Sequence, residues 1–250
     1  MRSTARSARI IAIALGCFAT SVVNGDQETV LQNANQAFHD GRFQEAIDNY
    51  TTLLESGRSN AALFYDLGNA WFRLGNLGKA ILNYERALAL DPRHPEAQAN
   101  LRLARDEARS LELEKGRIER YVSFGSSNQY TIAASIAFWL TLLAGVRFYF
   151  LRRRSAKMIC LMILLFALFA GASFATYVME TGVNGSALAI VTRKNVDARL
   201  ATADSAKAVL ALPPGSQVKV LKERGDWVYA ALPNGLRGWV PAASTERVRQ

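Results

Sequence analysis

The chain has 250 residues, a net charge of +9, two cysteines and a hydrophobic half. That length allows one or two small domains beside membrane segments. Cys17 and Cys160 both lie in apolar segments outside the expected folded domains, so no disulfide framework or thiolate zinc centre can be built there. The charge is unevenly spread. Residues 1–25 carry three cations and no anion, 26–129 carry 12 cations against 15 anions, 147–157 carry five cations, and 180–250 carry ten against six. The stretches 1–25 and 147–157 adjoin hydrophobic runs. They read as topology signals and not as a nucleic-acid footprint.

Residues 1–25 place Arg2, Arg6 and Arg9 before the apolar run Ile10–Val23. This is the pattern of a signal peptide cut before Asp26. The same run fits a retained anchor, and Leu15-Gly16-Cys17 fits a lipid-modification site.

From Gln27 the pattern becomes helical, and the reading assigns 26–115 to one helical domain. In Ala61–His94, Leu67, Gly68 and Trp71 share one helical face, Gly75 marks a turn, and Ala80, Tyr84 and Ala87 share a second face. Asp91-Pro92 ends the second helix, since proline lacks an amide and biases the preceding residue away from the α region. Thirty-four residues earlier the pattern recurs: Gly41, Ala46, Ile47, Tyr50 and Leu54 correspond to Gly75, Ala80, Ile81, Tyr84 and Leu88. Gln27–Asn60 and Ala61–His94 therefore resemble two tetratricopeptide repeats. Two such units bury little surface alone. Pro95–Glu114, apolar at Ala97, Leu101, Ala104 and Ala108, is expected to cap the stack, as the remnant of a third unit.

Residues 116–129 lose periodicity and read as a linker. Residues 130–151 and 158–179 are apolar stretches of 22 residues, about 33 Å as helix, enough to cross a bilayer. The basic turn between them, 152–157, is expected on the cytoplasmic side, with both flanking domains outside.

Residues 187–250 break into short strands with turns at Pro213-Pro214-Gly215 and Pro233-Asn234-Gly235, the pattern of a small all-β barrel. The stretches LPPGSQVKVL and GDWVYAALPNGLRGWVPAAS resemble bacterial Src-homology-three domains. The family's early Val-Asn-Val-Arg-x-Gly-Pro segment is here Asn195-Val196-Asp197-Ala198-Arg199-Leu200, without the Gly-Pro. The expected fold is thus multi-domain: helical repeats, a two-helix transmembrane hairpin and a small barrel. In that order, the parts resemble the tetratricopeptide membrane protein of the Bat aerotolerance system. The resemblance implies a bacterial inner-membrane location with repeats and barrel on the periplasmic side. It also implies neighbours with von Willebrand factor A domains and a MoxR-type ATPase.

No HExxH, GxSxG, phosphate loop or CxxC is present. His39 and His94 read as surface residues, and the carboxylates as solvated ion pairs. The reading is of a protein that is not an enzyme and needs no cofactor or metal. The candidate site is the groove formed by the first helix of each unit. Asn35 and Phe38 lie there in the first copy, and Tyr65, Asn69, Phe72 and Arg73 in the second. Asparagine amides donate and accept, which suits an extended peptide backbone or a terminal carboxylate. A protein partner held in this groove is the leading expectation. The alternative is binding of peptidoglycan or wall peptides through Tyr229 and Trp239 of the barrel, both of which also suit its core.

Overall fold

A computed structural model describes residues 27–122, 125, 127–150, 156–183 and 185–249. The expected signal segment 1–25 and residues 152–155 of the basic turn lie outside the described residues. The chain forms two compact units, residues 1–108 and 109–250, described separately below.

The first unit is built from helices. α1 covers 27–39, α2 Phe43–Glu55, α3 Ala61–Arg73, α4 Leu77–Leu90 and α5 Pro95–Ala108. α3 and α4 are started by side chains: Asn60 accepts from the Leu63 amide at 2.8 Å and Asn76 from the Lys79 amide at 3.2 Å. Gly41 and Gly75 make the two intra-repeat turns at φ 79° and 77°, where a β-carbon would be strained. Small residues set the helix spacing. Ala34, Ala37, Ala46, Ala70, Ala80 and Ala87 are completely buried. A β-carbon on Gly68 would stand 2.7 Å from the Tyr84 ring, so α3 and α4 meet at a place only glycine fits. Tyr50, Leu53, Ile81, Leu82 and Tyr84 fill the remaining core. α5 lies against α4 through buried Ala97, Leu101 and Ala104. It occupies the place of the first helix of a third unit, with exposed Arg102 where the second unit has Gly68.

α5 ends at Ala108 and not at Glu114 as its periodicity suggests. Arg109 adopts φ 51° and turns the chain. In the second unit, residues 111–113 run against the terminal sheet. The Gln217 amide donates to the Leu111 carbonyl at 2.8 Å, and the Leu111 and Leu113 amides donate to Ser216 Oγ and Gln217 Oε1, each at 3.1 Å. The Leu111 side chain packs on the sheet's core. Within the expected linker, Arg117–Val122 forms a short helix, α6.

α7 (Ser127–Phe150) and α8 (Ala156–Thr181) form a hairpin. Both are apolar, largely exposed and long enough to cross a membrane. Ordered polar contacts gather at the end holding Ser127 and Thr181. Ser127 Oγ donates to Glu180 Oε1 at 2.9 Å, Arg249 lies 3.4 Å from the same oxygen, and the Val183 amide donates to Glu119 at 2.6 Å. The ammonium of Lys219 donates to the carbonyl of Thr181.

The remaining strands are β1 (Leu188–Val191), β2 (Val196–Arg199), β3 (Ala208–Leu212), β4 (Gln217–Arg224), β5 (Trp227–Ala231), β6 (Arg237–Pro241) and β7 (Thr245–Arg247). They form one antiparallel sheet in the order β3-β2-β6-β5-β4-β1-β7. The sheet is not closed into the expected barrel. β3 pairs with β2 alone and β7 with β1 alone, so both edges are free of a closing ladder. The edge strands are short, five and three residues, which limits the pairing surface they offer. One face carries the core of Ala189, Val191, Ala198, Leu212, Val218, Val228, Ala230 and Val240.

Candidate functional site

The groove residues lie on α1 and α3, with part of the wall supplied by α5. Asn35 and Asn69 occupy equivalent positions and make equivalent bonds. Tyr50 Oη donates to Asn35 Oδ1 at 2.7 Å, and Tyr84 Oη donates to Asn69 Oδ1 at 2.8 Å. Each asparagine thus ties the second helix of its own unit to the first. Burial holds both tyrosine hydroxyls well above their ordinary pKa, so they remain protonated donors. One acceptor site of each amide oxygen is thus used inside the fold.

Asn69 is embedded further. Asn100 of α5 donates to Asn69 Oδ1 at 2.9 Å and to Tyr65 Oη at 3.3 Å. Tyr65 is stacked against His94 at 5.0 Å between ring centres and lies 6.1 Å from Tyr84. His94 caps α5 by accepting from the Ala97 amide at 3.3 Å. Asp66, on the same helix as Tyr65 and Asn69, has its carboxyl pushed up to about 6 by burial, partly countered by the positive form of His94.

A hollow of about 210 Å³ opens beside this network, lined by Phe38, Asn69, Phe72, Arg73, Tyr84, Asn100 and Leu103. Four of the six groove residues expected from the sequence, Phe38, Asn69, Phe72 and Arg73, meet there. Asn35 and Tyr65 do not line it. Asn100 and Leu103 were missed by reading two units. They lie 34 residues after Asp66 and Asn69, so extending the repeat offset into α5 finds them. The hollow is apolar at Phe38, Phe72 and Leu103 and polar at the two asparagines. The Arg73 guanidinium lies 4.9 Å from the Phe43 ring centre, an aromatic contact that supports an exposed cation at the rim. His39 packs edge-on against Phe38 at 6.2 Å, outside the hollow's lining.

In the second unit Tyr229 and Trp239 face each other across β5 and β6 with ring centres 5.0 Å apart. Both lie on the face opposite the core, as does Trp227, because the buried positions of these strands are Val228, Ala230, Gly238 and Val240.

Residues 31–95 match the family model described as Tetratricopeptide repeat. The match covers α2, α3 and α4 and the greater part of α1, and it points to binding of protein partners.

Proposed function

We propose that this chain is a non-catalytic membrane scaffold whose repeats hold an extended segment of a protein partner outside the cytoplasm. The observation that carries the reading is the hollow between α1, α3 and α5. It offers an apolar floor, the amide nitrogen of Asn69 and one cation at a single place, as an extended segment with an apolar side chain and a nearby acidic group or carboxylate requires. Support for both folded parts lying on one side of a membrane comes from the strap 111–113. It precedes the hairpin and pairs with a sheet that follows it. With two crossings between them, those segments share a side. The basic residues around 147–157 favour a turn on the cytoplasmic side.

The module order fits a complex of the Bat aerotolerance type, with von Willebrand factor A-domain membrane proteins as partners. The terminal motifs fit the bacterial Src-homology-three family. Both assignments rest on sequence resemblance. A second reading, binding of wall peptides, draws on the outward Tyr229–Trp239 pair. It requires retention of the chain on purified peptidoglycan that falls with Trp239→Ala.

Crosslinking in intact membranes tests the leading reading. A photoreactive residue replacing Leu103, which is 56% exposed at the hollow, should capture a protein partner, and Arg73→Glu should strongly reduce the adduct. Absence of any protein adduct from this position in a folded chain would remove the groove as the docking site.

A further inference from the structure

The outer face of the terminal sheet has a composition its fold does not require. Strand register sets out three rows across it. Lys219, Ala231 and Arg237 form the first, and Lys222, Tyr229, Trp239 and Arg199 the second. Arg224, Trp227 and Pro241 form the third. Five cations therefore surround three aromatic rings. Two acids share this side: Asp197 of β2, 3.8 Å from Arg199, and Glu246 of the edge strand β7, in register with Ile190 and Gln217. A bulge at Leu221 of β4 keeps Lys222 and Arg224 on this side, opposite Tyr229 and Trp227.

The face begins at the hairpin. Lys219, in the first row, donates to the carbonyl of Thr181, the last residue of α8. The β5–β6 turn beyond that row carries Leu236, 52% exposed. α7 and α8 are 24 and 26 residues, about 36–39 Å at 1.5 Å per residue, so their ends reach the headgroup layer of a bilayer they cross. Lys219 then lies at headgroup level.

Tryptophan, tyrosine and basic side chains are the residues that settle at the membrane–water boundary. We propose that the outer face of the terminal sheet rests on the anionic headgroups of the leaflet from which the hairpin emerges. Cations would bind lipid phosphates, the rings of Trp227, Tyr229 and Trp239 would sit at the boundary, and Leu236 would enter the first acyl layer. The inference rests on the reading of α7 and α8 as membrane-spanning. It gives the second unit a fixed orientation on the bilayer that a flexible tether would not. Wall peptides would account for the rings and the cations but not for the contact of Lys219 with the helix end.

The full chain is reconstituted in vesicles of phosphatidylcholine alone or with three parts in ten phosphatidylglycerol, each containing lipid brominated near the headgroup. Quenching assigned to Trp227 and Trp239 is the difference between the chain and its Trp227→Phe/Trp239→Phe variant. The expected result is strong quenching in the anionic vesicles and weak quenching in the neutral ones. Lys222→Glu/Arg224→Glu/Arg237→Glu should reduce the anionic signal to the neutral level, since one basic residue at a charged surface is worth about fivefold in occupancy. An alkaline wash separates the two levels of the argument. A chain stripped from the vesicles overturns the membrane-spanning reading and this inference together. A chain that stays but shows no lipid-dependent quenching overturns the inference alone. Equal quenching in both vesicles, or retention on peptidoglycan that depends on the same three cations, also overturns it. The charge-reversed chain must keep the circular dichroism of the parent. If it does not, Arg237→Gln alone is measured, and an unchanged signal overturns the inference.

Discussion

Asn69 Oδ1 receives two hydrogen bonds, one from a tyrosine that is 1% exposed. Asn69→Ala leaves that hydroxyl without its acceptor in the core, a loss of about 1–3 kcal/mol. Thermal unfolding of the full chain in detergent should show a lower midpoint, with hydrogen exchange faster in α3, α4 and α5. Asn35→Ala should cost less, because Asn35 is exposed and accepts one bond. Repeat spacing places both asparagines on one groove, but it does not say which half of each amide the tyrosine fifteen residues on occupies. That depends on two helices having packed. Asp66 supplies a second expectation. Its carboxyl titrates near 6 in the fold against 3.8 ordinarily, with burial the cause and Tyr50 and His94 the groups that sense its charge. The unfolded chain therefore loses this proton first. The associated stability is full below about pH 4, falls as pH rises through 4 to 6, and is gone above that window. Asp66→Asn should flatten that segment of the repeat unit's stability profile and leave it more stable than the parent at pH 7. Chemical denaturation at several pH values measures both effects.

The helices of the repeat unit are legible in the chain because their signals are local and occur twice. Glycine at Gly41 and Gly75, alanine at Ala46 and Ala80 and tyrosine at Tyr50 and Tyr84 state the same geometry at one offset. Gly68 is the strictest of these positions. Gly68→Ala gains helix propensity of about 1 kcal/mol but drives a methyl to 2.7 Å from Tyr84, so overpacking of about 1–3 kcal/mol should prevail. Ala80→Trp, at a site with no exposure, should unfold α3 and α4 outright. Loss of the far-UV helical signal in proportion to this unit would show it. An unchanged melt would remove Ala80 from the helix contact. Elements fixed by distant partners are less legible. The stop at Arg109 lacks glycine or proline, and Leu111 finds its partners more than a hundred residues away. β3 is alanine-rich and β7 is a three-residue polar strand, so neither carries an alternating pattern strong enough to read. Whether a row of strands closes on itself depends on the two edges meeting, and no short motif records that.

At the scale of the molecule, the strap and the hairpin together define the topology experiment. Protease added to spheroplasts should digest tags placed before residue 31 or after residue 247 and spare a tag in the 152–155 turn. Protection of either terminal tag would sink the two-crossing arrangement. Leu111→Asp should loosen the strap, putting a charge against the sheet's core, and should speed exchange in β4 and β1 while leaving the repeat helices unchanged. The end of the repeat stack has a consequence of another kind. Solenoids lengthen when a gene segment is copied in tandem, provided the new unit finds the surface the old one exposed. Here that surface is α5, where Arg102 takes the place that Gly68 holds in α3 and a tyrosine like Tyr84 would have nowhere to lie. A copied unit would find its seat only ahead of residue 95, between existing turns. The array is sealed against growth beyond α5, so the number of its units is set by one buried glycine and the arginine that stands in its place.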